Sequence, residues 1–146
     1  MDSEYKEYNL LIIGDGPEKD SLIQTAQNLG ISEKTFFLGS KTYPEAFIKN
    51  AQAVLMASFS EAMPVTVLEA FGLDTPIVST PAQGCLDIFS LLEYEWHTNS
   101  FDDEAEYCSL MKFVLANKSS LPKMSALVEK NYGLEKIISL WNEVLG

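Results

Sequence analysis

The chain has 146 residues, 47% of them hydrophobic, and a formal net charge of −11. All ten basic residues are lysines, so it lacks the concentrated positive charge that binding a nucleic-acid backbone requires. The apolar run "LLII" is too short for a transmembrane span and has no cationic lead. Cys85 and Cys108 have neither metal-type nor redox-type spacing, so free thiols in a reducing compartment are expected. These features suggest one cytoplasmic domain over residues 1–146, large enough to bury a core.

In chain order, "YNLLIIG" predicts a buried strand. The segment "PEKDSLIQTAQNLG" predicts a helix opened by Pro17 and closed by Gly30. A second strand, "KTFFLG", a short helix, "YPEAFIKNA", and a third strand, "QAVLMAS", follow. "MPVTVLEAFGL" predicts a helix with Pro64 in its first turn, and "TPIVST" a fourth strand. "CLDIFSLL" predicts a short helix and "YEWHTN" a weak strand. Three helices close the chain, at "DDEAEYCSLMKFVLANK", "LPKMSALVEKNYG" and "LEKIISLWNEVLG". Alternating strands and helices, with strands apolar on both faces, define an α/β fold: a Rossmann-like parallel sheet with helices on both faces. In such sheets ligands sit beyond the carboxyl ends of the strands, which directs attention to "GDGP", "LGSK", "SFSEAMP" and "STPAQG".

Gly14 and Gly16 allow a sharp strand–helix turn, but without a third glycine the loop is no dinucleotide fingerprint. Glu61 falls in the loop before the Pro64 helix, and Glu69 more than one turn inside it. The amides of Val65 and Thr66 lack intrahelical acceptors and suit a phosphate or a sugar hydroxyl. Glu69 sits among Val65, Val67, Leu68, Ala70 and Phe71, and a carboxylate on so apolar a helix requires a partner. From these residues alone, two alternatives stay open: surface charges that favour a helix start, or two carboxylates bracketing one ligand. His97 and the acidic run "FDDEAE" read as structural, with Asp102 or Asp103 as a helix cap.

The segments "LLIIGDGPEKDSL", "FFLGS" and "AFIKNAQAVLMASFSEAMPVTVLEAFGLDTPIVST", with the terminal "YGLEKIISLWNEVL", resemble the carboxy-terminal domain of family-4-type retaining glycosyltransferases of the GT-B fold. The likeness runs over residues 8–90 and returns weakly at 132–145, and Glu61 and Glu69 match the family's E-x7-E motif. The resemblance implies a domain that binds a nucleotide-diphosphate sugar and transfers the sugar with retention, in polysaccharide or glycolipid synthesis. It implies Glu61 as the catalytic carboxylate at the donor sugar and Glu69 on the ribose hydroxyls. Ala62, Met63, Val65 and Thr66 would meet the sugar and diphosphate. Gly39, Ser40 and Lys41 would lie near the base, and Gly14, Asp15 and Gly16 would border the pocket. No cofactor and no metal are expected.

Several positions depart from the family pattern. Ala62 replaces the glycine usual after the first glutamate, and Asp74 the glycine before "TP". "GCLDIF" follows the motif glycine–acid pair only loosely, with Asp87 as the acid. The family's first strand–helix unit, with its diphosphate-gripping arginine and lysine, has no counterpart in this chain. The expectation is therefore most of a donor domain, either a fragment of a longer enzyme or a truncated protein that has lost catalysis. It is expected to be inactive alone, its partner being an amino-terminal acceptor domain that also carries any membrane association. A non-catalytic subunit that stabilises another transferase is the alternative. A generic α/β signalling domain is disfavoured, because Asp15 stands alone where an acidic cluster would be needed.

Overall fold

The computed structural model describes residues 7–145. It divides into two compact units, Met1–Pro44 and Glu45–Gly146. Gly146, predicted as the end of the last helix, lies outside the described residues.

In the first unit, β1 (Leu10–Ile13) runs parallel to β2 (Thr35–Gly39), with Leu10 opposite Thr35 and Ile13 opposite Gly39. The crossover is α1 (Lys19–Asn28) followed by a single 3-10 turn, Ser32–Lys34. Helix α1 starts two residues after Pro17 and closes as expected at Gly30, where φ is +68°. There the amide of Ile31 donates to the Ala26 carbonyl and that of Gly30 to Gln27, a Schellman closure. The predicted burial of the first strand is corrected: Leu10 is 38% exposed and Leu11 44%. A two-stranded ribbon with one crossover helix has too little mass to cover both of its faces.

The second unit runs through α2 (Glu45–Asn50), β3 (Val54–Met56), α3 (Val65–Gly72), β4 (Ile77–Ser79) and α4 (Gln83–Leu92). It ends with α5 (Glu104–Asn117), α6 (Ser125–Tyr132) and α7 (Leu134–Leu145). Strands β3 and β4 are parallel, with Val54, Leu55 and Met56 opposite Ile77, Val78 and Ser79. β4 is fully buried, as its unbroken apolar pattern requires. Val67, Ala70 and Phe71 of α3 pack into the core with Ile77, Cys85, Ile88, Phe89 and Leu92. Phe71 and Tyr94 bring their ring centroids to 4.5 Å, and Phe89 lies 5.2 Å from Tyr94. The β-branched start of α3 is a poor intrinsic helix former, so this burial is what holds it helical.

The strand predicted at "YEWHTN" reduces to one bridge, between Ser79 and His97. A side chain does the pairing that a backbone would otherwise do. The Tyr94 hydroxyl accepts from the Ile77 amide and donates to the Ile77 carbonyl, both at 2.8 Å. Only beyond it does the backbone take over, with Ser79 N–H donating to Trp96 and Thr98 N–H to Ser79. Asp103 is the helix cap anticipated for "FDDEAE": its carboxylate accepts from the Glu106 amide at 2.8 Å. Helix α7 turns Ile138, Trp141 and Val144 to the surface. No helix among the described residues is long and apolar enough to cross a membrane.

Candidate functional site

The loop between β3 and α3 leaves the carboxyl end of β3 and returns into a helix that no side chain caps. Pro64 is the N-cap rather than a first-turn residue, with φ −74° and ψ 101°. Having no N–H, it leaves the opening of the helix to Val65 and Thr66, both exposed. The Val67 amide turns back to the Pro64 carbonyl at 3.0 Å, which tightens the first turn. The result is a helix N-terminus with exposed first residues and no side-chain cap among the described residues.

The two carboxylates are held differently. Glu61 is partly buried, and its Oε1 accepts a 2.8 Å hydrogen bond from the Ser58 hydroxyl. Its backbone is also fixed, because the Gly84 amide donates to the Glu61 carbonyl at 2.9 Å. Glu69 is partly buried on α3, between the buried Ala70 and the half-buried Leu68. Among the described residues it has no side-chain hydrogen bond and no ion pair. A carboxylate in that position is oriented by its helix and available to a ligand. Ala62 and Met63, at the tip of the loop, are exposed.

The motif reading missed Ser58 and the close approach that Gly84 makes to the Glu61 loop. A Cβ on Gly84 would stand 2.5 Å from the Ala62 carbonyl oxygen and 2.6 Å from that of Glu61. Only glycine lets the start of α4 approach the Glu61 loop so closely. Gly84 ends "STPAQG" and opens "GCLDIF", but no local pattern says which loop it approaches. Cys85, next in sequence, is buried beside the same loop. Burial pushes its thiol up, opposed by a hydrogen bond with Ser79 and reinforced by the negative charge of Glu61.

In the first unit the structure joins two of the predicted loops. The Gly14 amide donates to the Gly39 carbonyl at 3.0 Å, and both glycines adopt positive φ, +135° and +65°. Gly16 takes part in the turn without positive φ, its carbonyl accepting from the Lys19 amide at 3.3 Å. The Gly16 amide bonds the Asp15 carboxylate, which also pairs with Lys19 at 3.8 Å. Ser40 and Lys41 are exposed.

A cavity of about 480 Å³ opens instead beside the residues that precede β3 and β4, among Gln52, Asp74, Pro76, Lys118 and Lys123. It contains neither glutamate. The candidate site is therefore defined by the two carboxylates and the helix end that no side chain caps, not by this cavity. Among the described residues, no three His, Cys, Asp or Glu side chains gather as a metal site.

Parallel strands joined by helices in this way are the architecture of the GT-B glycosyltransferases. The chain belongs to the family of glycosyl transferases group 1, which matches residues 2–132. An uncharacterized glycosyltransferase of Haemophilus influenzae is 27% identical over 150 residues, covering 97% of this chain and 41% of the relative. The O-antigen biosynthesis glycosyltransferase WclY of Escherichia coli is 30% identical over 89 residues, or 61% of this chain and 25% of WclY. Among solved structures, HepE of Anabaena in complex with UDP superposes with a TM-score of 0.81 at 17% identity, over 96% of this chain and 41% of HepE. The chain thus spans from 19% to 41% of the length of the first curated relatives it matches.

Proposed function

We propose that this chain is the donor-binding part of a retaining hexosyltransferase that uses a nucleotide-diphosphate sugar to build a lipopolysaccharide or related glycan. The observation that carries this reading is Glu69: a partly buried carboxylate without a side-chain partner among the described residues, one turn into a helix whose N-terminus no side chain caps. A donor satisfies both groups at once. Its ribose hydroxyls donate to Glu69, and its diphosphate accepts from the amides of Val65 and Thr66. Glu61, at the front of the loop, then faces the sugar.

In this reading the bond from the anomeric carbon to the diphosphate oxygen breaks, and the helix end stabilises the charge that develops on the leaving group. The acceptor hydroxyl oxygen bonds to the same face of that carbon, and its proton passes to the departing diphosphate oxygen. No metal is needed for the step. With no arginine in its 146 residues, the chain alone lacks a strong diphosphate clamp, and we expect it to be inactive without further protein. Cys85 and Cys108 are both free, which fits action in a reducing cytoplasm.

Ligand-observed NMR with UDP, GDP, ADP and their common sugar conjugates tests the reading. One base should be preferred, and Glu69→Ala should abolish its signal. Binding that survives in Glu69→Ala would sink the proposal. No binding by the folded wild-type chain would favour a non-catalytic stabilising subunit, a role for which the exposed apolar residues Leu10 and Leu11 of β1 are suited.

A further inference from the structure

We infer that Ser58 is a positioning residue for Glu61, and that Ser58, Thr80 and Gly84 form one frame that aims the Glu61 carboxylate at the donor sugar. This rests on the donor-binding reading above and deepens it, since neither the glutamate motif nor its spacing involves these three residues.

The frame is built from three hydrogen bonds that converge on a four-residue loop. The Ser58 hydroxyl donates to Glu61 Oε1 at 2.8 Å, so one carboxylate oxygen is held and Oε2 is left for a ligand. The Ser58 backbone is itself pinned, because the Thr80 hydroxyl donates to its carbonyl at 2.7 Å. The Gly84 amide pins the other end at the Glu61 carbonyl, and the missing Cβ is what permits the approach. Thr80 follows β4 immediately, and its own amide donates to the Met56 carbonyl at the end of β3. The loop is thus referenced to both strands of the β3–β4 sheet rather than left to its own flexibility.

An unsupported glutamate at a loop tip samples several rotamers, and each must be frozen when a sugar binds. A serine three residues earlier, donating to Oε1, removes part of that cost in advance. Ser58 does not touch the ligand in this scheme. It acts through Glu61, so its effect belongs to the sugar half of the donor and not to the nucleotide half.

That separation supplies the test. Affinities are measured by calorimetry for UDP-glucose, GDP-mannose and ADP-glucose against UDP, GDP and ADP, on wild type, Ser58→Ala, Ser58→Thr, Glu61→Ala and the Ser58→Ala/Glu61→Ala double variant. Ser58→Ala should weaken the preferred sugar nucleotide by about tenfold while leaving the bare diphosphate within about twofold. Ser58→Thr, which keeps the hydroxyl, should recover most of the loss. The double variant should bind no worse than Glu61→Ala, because the serine then has nothing to aim. Equal weakening of both probes in Ser58→Ala, or no weakening of either, overturns the role of Ser58 while leaving the donor reading intact. Absence of any nucleotide binding in wild type overturns both.

Discussion

Gly84 is a residue whose lack of a side chain sets the geometry of its neighbour. A methyl group there would lie 2.5 Å from one backbone oxygen and 2.6 Å from another, and neither belongs to a side chain that could rotate away. Gly84→Ala must therefore move the start of α4 or the Glu61 loop, a form of overpacking that costs about 1–3 kcal/mol. The expected outcome is a lowered urea midpoint with unchanged m-value, together with shifted amide resonances at Ser58 and Glu61. Two other residues invert the usual argument, because they hold left-handed backbone without being glycine. Glu93 ends α4 at φ 55° and Asp74 follows α3 at φ 55°. Replacing Glu93 with glycine should stabilise the chain by about 0.5–1 kcal/mol. Asp74→Gly should gain much less, because Asp74 Oδ1 also accepts the Ser125 amide at 3.0 Å and so caps the start of α6. The pair is to be compared by thermal unfolding. Equal gains would mean that the Asp74 cap contributes nothing.

Between elements, α5 is tied to the sheet by one hydroxyl. Tyr107 donates to the carbonyls of Met56 and Val78, at 3.2 and 3.1 Å, one on each of the paired strands. Burial pushes its pKa from 10.0 up to about 12, partly offset by the hydrogen bond to Met56. Burial raises Tyr94 in the same direction. Between pH 10 and about 12 the unfolded chain therefore loses a proton that the folded chain keeps. The stabilisation is complete below pH 10 and drains away as pH rises, by up to about 1.4 kcal/mol per pH unit for each group. Denaturation midpoints measured across this range should fall steeply in the wild type and less steeply in Tyr107→Phe. The elements themselves were largely legible, because periodicity and turn residues report burial directly. The strand expected at "YEWHTN" was not, because Tyr94 satisfies the edge of β4 with a side chain, and no local pattern announces a hydrogen bond to residue 77. Nor was the exposure of Leu10 and Leu11, since an apolar run implies burial somewhere without saying what supplies the cover. At the site, Glu61 and Glu69 could be found by spacing, whereas Ser58, Thr80 and Gly84 act through contacts made between separate loops.

At the scale of the whole molecule, charge sets a condition on the proposed ligand. Twenty-one acidic residues face ten lysines, and the net charge of −11 repels a nucleoside diphosphate on approach. The attraction is local: amides at the start of α3 and hydroxyl-to-carboxylate hydrogen bonds, neither of which reaches beyond a few ångströms. Added salt screens the long-range term much more than the short-range one, since the Debye length falls from roughly 20–30 Å in dilute buffer to about 8 Å at physiological ionic strength. The usual sign for binding an anion is thereby reversed. Affinity for the preferred diphosphate should rise by about twofold as NaCl is raised from about 20 to 200 mM, mainly through a faster association rate. A protein that grips phosphate with clustered cations behaves in the opposite way. If affinity instead drops steeply with salt, lysines rather than the open end of α3 hold the diphosphate, and the ligand must be placed against them.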